Sequence, residues 1–147
     1  MSEQNKEIVR RLFEDIWSNG KLPVVDEIID RSYLNHDPAN PDARGPEGYK
    51  QLVNKYRTAF PDFRITVDDL LAEGEKVTAR FTARGTHKGP LEGIAPTNKS
   101  VTLAGMIICR LSGSKIQEAW VNWDAYGLMK QLGVLTIQTQ AQGKSAR

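Results

Sequence analysis

One change of hydrophobic period, at Pro61, most constrains the fold of this 147-residue chain. Before Pro61 the apolar residues recur at helical spacing in three segments. From Phe63 onward they alternate with polar residues, as they do in strands. Helices that precede a run of consecutive strands predict an α+β domain, in which the helices pack on one face of a curved, mainly antiparallel sheet.

The first half of the chain predicts three helices. The first helix ends at Asn19-Gly20, where glycine suits a left-handed cap. Pro23 and Pro46 open the second and third helices, at a position that proline favours. Residues 33–45, between these two helices, are predicted as a loop. The apolar stripe of the first helix is Ile8, Leu12, Phe13, Ile16 and Trp17, and that of the third is Tyr49, Leu52, Val53, Tyr56 and Phe60.

The second half predicts about four strands and a short final helix that ends at Gly133. Residues 76–87 alternate, with Phe81, Ala83 and His87 on one face. Residues 101–111 are apolar on both faces, which predicts a central strand. The chain contains no repeat and no linker, so a single domain is predicted for residues 1–135, followed by a mobile tail at residues 136–147.

Composition and charge exclude several functional classes. The net charge of +2 is small and the basic residues are scattered, which argues against nucleic acid and membrane partners. No apolar run approaches the roughly 20 residues of a membrane span, and the N-terminus lacks an apolar leader, so a cytoplasmic protein is expected. Two histidines and the lone Cys109 form no ligand cluster with useful spacing, so no metal site is expected.

Residues 114–124 predict the wall of a small-molecule pocket. Strand alternation places an indole, an amide and a carboxylate in succession on one face, at Trp120, Asn122 and Asp124. A mostly apolar wall with a few placed polar groups is typical of a ligand pocket. The expected partner is therefore a small hydrophobic molecule.

The opposite face of the predicted sheet carries an apolar patch. Alternation places Met106 and Ile108 there, together with Ala119, Val121 and Trp123 of the next strand. An exposed patch of this kind favours a subunit interface. The sequence therefore predicts a homodimer or a larger homo-oligomer, assembled through the convex face of the sheet.

Three residues are candidates for acid/base chemistry. Asp124 beside Trp120 would be a desolvated general base, although an aspartate directly before a helix is equally suited to capping it. His36 would donate a proton to a developing enolate; the alternative is a turn histidine beside Asp37-Pro38. His87 would polarise a carbonyl group; the alternative is a strand-end histidine bonded to the following loop.

The candidate substrate-binding residues are mainly aromatic. Rings in a cavity would accommodate a flat ligand, although each of them is also an ordinary core residue. Asn122 would orient Asp124 or bind the substrate directly; the alternative is a surface amide near the end of the strand. The full set is Trp17, Tyr33, Tyr56, Phe60, Phe81, Ile107, Trp120 and Asn122.

The chain resembles the SnoaL-like polyketide cyclases of the NTF2-like superfamily, from about Ile8 to Gly133. One stretch is the first helix, with Phe13 and Trp17. A second, GTHKGPLEGIAPTNKSV at residues 85–101, is similar to the family's G-T-H-x-G…G…P-T-G-K segment, with Asn98 in place of the usual glycine. The third, at residues 110–133, is similar to the family's G-K-I-x-E-x-W-x-x-x-D run, through Lys115, Ile116, Glu118, Trp120 and Asp124.

The resemblance implies a cone-shaped fold with a hydrophobic pocket between the helices and the concave face of the sheet. It also implies an intramolecular aldol condensation of a polyketide ester, catalysed by an aspartate without metal or cofactor. That aspartate matches Asp124. The cyclases often place a histidine in the preceding strand, where this chain has Ile107.

The leading hypothesis is a cofactor-independent cyclase that acts on a small hydrophobic carbonyl compound. Ile107 favours an alternative, a non-catalytic module that binds a ligand in the same pocket. A structural dimerisation domain with a filled cone is a further alternative. A hydrolase similar to limonene-epoxide hydrolase would need an Asp-Arg-Asp set, whereas Arg80 and Arg84 are predicted to face away from the pocket.

Overall fold

The fold is organised around one curved, open sheet of five strands. The computed structural model describes residues 2–134, so the predicted tail at residues 136–147 lies outside it. The elements in chain order are α1 (Ser2–Arg11), a π-helical segment (Leu12–Ser18), α2 (Pro23–Ile28), β1 (Ile29–His36), α3 (Gly45–Ala59), β2 (Arg64–Glu73), β3 (Lys76–Thr86), β4 (Ser100–Ser112), β5 (Lys115–Trp123) and α4 (Ala125–Leu132). The strand order is β1-β5-β4-β3-β2, and the predicted α+β fold is confirmed.

The helices cover one face of the sheet, and the main core lies between the two layers. Strand β3 shows the predicted alternation, because Val77, Ala79 and Phe81 are buried. They pack against the apolar stripe of α1 and the π-helical segment. Cys109 on β4 belongs to this core, and burial raises the pKa of its thiol to about 12. No helix within residues 2–134 has the length and apolarity needed to cross a membrane.

The π-helical segment is the continuation of the predicted first helix. It carries Phe13 and Trp17 toward the sheet, and short π-helical segments are frequent at functional sites. The guanidinium of Arg57 donates to the carbonyl oxygens of Trp17 and Ser18, at 2.6 and 3.0 Å. A residue of α3 thereby closes the end of the segment and fixes the position of Trp17.

Strand β1 was predicted as the start of a loop, and that prediction is wrong for residues 33–36. β1 lies parallel to β5, with His36 opposite Trp120. Its outward residues are polar or exposed, so the sequence shows no apolar alternation. The inward residues Tyr33 and Asn35 are buried, and so is Asp37 directly after the strand.

A β-bulge in β5 reverses the predicted faces of that strand. Arg110 pairs with Glu118, but the adjacent Leu111 pairs with Ile116, which leaves Gln117 as the extra residue. One additional residue shifts every later side chain to the other face. Trp120, Asn122 and Glu118 therefore lie outside the helix-covered face, and the predicted pocket wall is wrong beyond Gln117.

The outer face of the sheet is consequently composed differently from the prediction. Met106 and Ile108 are exposed as expected, at 57% and 39%. Ala119, Val121 and Trp123 were also predicted there, but Ala119 is buried and the other two face the helices. Trp120 takes their place, and Lys76 lies over its ring, 5.4 Å from the centroid.

Strand β4 contains a close approach to a neighbouring side chain that requires a glycine. Gly105 of β4 lies between Phe81 and Trp123 on the neighbouring strands. A Cβ atom at Gly105 would lie 2.4 Å from Cζ of Phe81, closer than any real contact. The Phe81 ring therefore occupies the space that a side chain at position 105 would need.

We propose that the outer face joins two copies of the chain, with Met106 near the centre of the contact. Met106→Glu is then expected to convert the dimer into a monomer, because an unpaired charge in an apolar interface is costly. Sedimentation velocity measures the change. Tyr126→Glu, an exposed position on α4, is the control and should leave the mass unchanged. A wild-type protein with the mass of a monomer would contradict the proposal.

Candidate active site

A cavity of about 100 Å³ lies between the helices and the sheet. Its walls are mostly apolar and aromatic, and its polar residues come mainly from the end of β1 and the start of the following loop. This composition is typical of a site for a small organic molecule. The lining residues with polar side-chain atoms are Trp17, Asn35, Asp37, Asn40, Tyr49, Tyr56 and Trp123.

Among residues 2–134, Asp37 is the one carboxylate that lines this cavity, although its position beside Pro38 predicts only a turn. Its exposure is 6%. Oδ2 accepts hydrogen bonds from Asn40 Nδ2 at 2.9 Å and from Trp123 Nε1 at 3.1 Å. Oδ1 accepts one from the backbone N–H of Ala39 at 2.9 Å. A carboxylate offers about four acceptor positions, so these three contacts leave one position, on Oδ1, without a donor from residues 2–134.

Asn40 connects Asp37 to the surface of the protein. Its amide and the Tyr56 hydroxyl are within hydrogen-bond distance, and its Oδ1 accepts from Lys55 Nζ at 3.0 Å. Lys55 also forms an ion pair with Glu92 in the loop after β3. These contacts fix the amide of Asn40, which in turn holds the carboxylate of Asp37. Burial raises the pKa of Tyr56 to about 12, so its hydroxyl stays neutral.

Trp17 and Tyr49 form the second polar pair of the cavity. The indole Nε1 of Trp17 donates to the Tyr49 hydroxyl oxygen at 2.8 Å, and the two rings meet edge to face. Tyr49 is 3% exposed, and burial raises the pKa of its hydroxyl well above the ordinary value. The Tyr49 side chain is therefore a neutral phenol throughout the working pH range.

Asp124 lies outside the cavity, on the exposed side of the β5–α4 junction. Its Oδ1 accepts from the backbone N–H of Gly127 at 2.8 Å, so it is the N-cap of α4. The absence of a side chain at Gly127 permits this approach, since a Cβ atom there would lie 2.1 Å from Oδ2. The expectation of a desolvated base beside Trp120 is wrong, and the capping alternative describes the geometry.

His36 also lies away from the cavity, on the outer face of the sheet. Its Nε2 is 2.6 Å from Oε2 of Glu118, and its ring stacks on Trp120 at a centroid distance of 5.3 Å. Arg110 donates to the other oxygen of Glu118 at 3.2 Å. The predicted catalytic histidine is therefore part of an exposed ion-pair cluster.

His87 is fully buried, but in a second small core rather than in the cavity. Its Nδ1 accepts from the backbone N–H of Thr97 at 3.2 Å, which places the ring hydrogen on Nε2. Nε2 has no hydrogen-bond partner within residues 2–134. The ring packs against Phe60 at a centroid distance of 5.4 Å, so the strand-end alternative fits His87. The neighbouring Asn98 has a φ of 60°, a left-handed conformation that asparagine adopts more readily than most other residues.

The structure brings together only half of the predicted substrate-binding residues. Trp17, Tyr56, Phe81 and Ile107 line the cavity. Tyr33 and Phe60 are buried elsewhere, and Trp120 and Asn122 lie on the outer face. Arg80 and Arg84 lie outside the cavity too, as predicted. Within residues 2–134, no group of three or more His, Cys, Asp or Glu side chains is arranged to hold a metal ion.

Four residues that line the cavity are absent from the sequence-based prediction of the site: Asp37, Asn40, Tyr49 and Trp123. A usable signal was present, because Tyr33, Asn35 and Asp37 alternate like the inward residues of a strand that continues past His36. Two polar residues in register with a buried tyrosine indicate a polar site on an inner face. The predicted loop assignment concealed that pattern.

Comparison with known proteins covers nearly all of the described fold. The family model for SnoaL-like polyketide cyclases matches residues 7–132. Aklanonic acid methyl ester cyclase DnrD of Streptomyces peucetius is 30% identical over 132 residues, which cover 86% of this chain and 89% of that protein. The nogalonic acid methyl ester cyclase of Streptomyces nogalater is 30% identical over 121 residues, covering 80% and 89%. The solved structure of TsrD from Streptomyces laurentii matches with a TM-score of 0.81 and 26% identity, covering 90% of this chain and 97% of that one.

The capping role of Asp124 is tested by stability measurements. Asp124→Ala is expected to lower the free energy of unfolding by about 1 kcal/mol, because the Gly127 N–H loses its acceptor. Urea unfolding measures this change. Asp124→Ser is the matched control, since serine also caps helices and should restore most of the loss. Equal stability of Asp124→Ala and wild type would contradict the assignment.

The cluster of His36, Glu118 and Arg110 on the outer face of the sheet is tested by the pH dependence of stability. The hydrogen bond from His36, followed by that from Arg110, lowers the pKa of Glu118 below its ordinary value of 4.5. The folded state therefore gains stability from this carboxylate above pH 4.5 and loses it as the pH falls through the lowered pKa. Urea midpoints measured below that pH should fall more steeply for wild type than for Glu118→Gln. Glu73→Gln is the control and should behave like wild type. The same decrease of the urea midpoint at acid pH in all three proteins would contradict this interpretation.

Proposed function

We propose that this chain, which belongs to the SnoaL-like polyketide cyclase family, closes a ring in a hydrophobic carbonyl ester by using Asp37 as the general base and acid. The matching relatives are polyketide cyclases, and the chain is accordingly an enzyme of the cyclase type. The observation that carries the specific proposal is the buried Asp37 carboxylate, held by Trp123 and Asn40 in an otherwise apolar cavity.

The proposed reaction is an intramolecular aldol addition, and it needs no cofactor. The open position on Oδ1 of Asp37 takes a proton from the carbon between two carbonyl groups, and the C–H electron pair forms the enolate. The enolate carbon attacks a second carbonyl carbon of the same molecule, which forms the new C–C bond. The oxygen of that carbonyl becomes an alkoxide and recovers the proton from Asp37, so the product is an isomer of the substrate.

The three donors to Asp37 supply positioning for this step. The backbone N–H of Ala39, the amide of Asn40 and the indole of Trp123 come from groups that are themselves held by the fold. Fixed donors keep the remaining lone pair directed in one orientation, and productive orientation accounts for much of enzymatic rate enhancement. Trp123 in particular links the base directly to β5, the strand beside β1.

The cavity limits the size of the reacting group. Its volume of about 100 Å³ is somewhat smaller than an engineered apolar cavity of about 150 Å³ that holds benzene. The reacting part of the substrate is therefore about one ring in size, with apolar contacts to Phe81 and Ile107. A polycyclic ester such as those named for the relatives would require the rest of the molecule to extend beyond this cavity.

A second candidate function is the binding of a hydrophobic ligand without chemistry. It is favoured by the absence of histidine from the cavity: His36 and His87 both lie elsewhere, and Ile107 lines the wall where cyclases often have histidine. The two functions differ in whether a bound carbonyl compound exchanges its acidic protons.

Deuterium exchange tests the base directly. Methyl benzoylacetate, incubated in D₂O and followed by proton NMR, should exchange its acidic C–H faster with the enzyme than in buffer alone. Asp37→Asn should reduce the enzyme-catalysed rate by about 100-fold or more, because the amide cannot accept the proton. Asp124→Asn, which changes an exposed carboxylate in the same way, should retain at least half of the wild-type rate.

Circular dichroism establishes that both variants are folded. Loss of exchange in Asp124→Asn together with full exchange in Asp37→Asn would overturn the assignment of Asp37. Binding of the ester by wild type without any exchange would support the ligand-binding module instead.

A further inference from the structure

The polar groups of the cavity differ in whether their hydrogens are already donated to a hydrogen bond within the protein. Trp123 and Asn40 donate to Asp37, Trp17 donates to Tyr49, and the Tyr56 hydroxyl is paired with Asn40. The Tyr49 hydroxyl accepts a hydrogen bond, but no acceptor for its own hydrogen lies within residues 2–134. A buried hydroxyl with an unused hydrogen is a ready donor to a ligand oxygen.

We propose that Tyr49 is a catalytic residue that donates its hydroxyl hydrogen to the enolate oxygen of the bound carbonyl compound. This inference rests on the proposed function, in which Asp37 generates that enolate. The negative charge develops on the carbonyl oxygen during proton removal, and a fixed donor in an apolar site stabilises it. Tyr49 and Asp37 would then act on the two ends of one H–C–C=O unit.

The surroundings of Tyr49 suit this role. Burial keeps the phenol protonated, so the hydrogen remains available throughout the working pH range. The indole of Trp17 occupies one lone pair of the hydroxyl oxygen, which limits its rotation and strengthens the O–H as a donor. Trp17 therefore acts through Tyr49, as a positioning residue.

This pairing defines the class of substrate more closely. The ligand must place two groups correctly. An acceptor oxygen that carries no hydrogen must face the Tyr49 hydroxyl, and an acidic C–H must face Asp37. An aryl ketone or an aryl β-keto ester of about one ring meets both requirements. The principal rival donor is the amide of Asn35, which within residues 2–134 donates a single long hydrogen bond, 3.4 Å, to the carbonyl oxygen of Asn40.

Ligand binding tests Tyr49 without requiring turnover. Acetophenone carries the acceptor oxygen, and α-methylstyrene has nearly the same shape with a CH₂ group in its place. Tyr49→Phe should weaken acetophenone binding about 3- to 10-fold and change α-methylstyrene binding by less than about 2-fold. Tyr126→Phe makes the same chemical change at an exposed position outside the cavity and should affect neither ligand.

Infrared spectroscopy gives a second readout that does not depend on the Tyr49 variant being folded. The carbonyl stretch of ¹³C-labelled acetophenone bound to wild type should lie at lower frequency than in hexane. The shift should be reduced in Trp17→Phe, which keeps the tyrosine but removes its partner. In the exchange assay, Tyr49→Phe should lower kcat about 100-fold, a larger effect than its 3- to 10-fold effect on ligand binding, because the donor stabilises the enolate more than the ketone.

Each outcome has a distinct meaning. Equal acetophenone affinity in wild type and Tyr49→Phe, an unshifted carbonyl frequency in wild type, or binding of neither ligand by wild type would overturn the role of Tyr49. A selective loss of acetophenone affinity in Tyr49→Phe, without proton exchange in wild type, would support Tyr49 as the carbonyl donor while rejecting the cyclase chemistry. The two proposals can therefore fail separately.

Discussion

The hydrogen bond from the Trp123 indole to Asp37 joins the two strand ends that form the polar side of the cavity. It depends on β1 lying parallel beside β5, and on the extra residue Gln117 that turns Trp123 inward. A hydrogen bond to a charged group contributes about 1.5–3 kcal/mol. Without the bulge, the indole would face outward and a buried carboxylate would lose one of its three donors. The fold of β5 and the geometry of the site thus both depend on the β-bulge at Gln117.

The predictable parts of the fold are those in which a single period persists. The stripe that ends at Trp17 and the alternation around Phe81 each repeat often enough to identify a face, and the structure confirms both. Gln117 could not be identified as a bulge, because a polar residue at that position fits uninterrupted alternation equally well. Strand β1 was missed because its pairing with β5 depends on a contact between distant parts of the chain, which local periodicity does not report.

The candidate site was less predictable than the fold, for a related reason. The motif that ends at Asp124 identifies the family, and its aspartate lies where helix α4 needs a cap. The buried carboxylate came instead from Asp37, whose proximity to proline favours a turn assignment. A strand that continues past its last outward residue brings such a side chain inside, and the loop assignment of residues 33–45 concealed that continuation. The resemblance implied a pocket between the helices and the sheet, where the cavity lies, while the alternation misassigned its wall.

The close approach of Phe81 to Gly105 has a consequence for the size of the cavity. Gly105 does not line the cavity, yet the space above it determines how far the Phe81 ring extends into the cavity. A larger residue at position 105 would displace the ring into the cavity and shrink it, whereas a smaller residue at position 81 would enlarge it. Ligand selectivity can therefore evolve at a position that no ligand touches, through one ring that transmits the change.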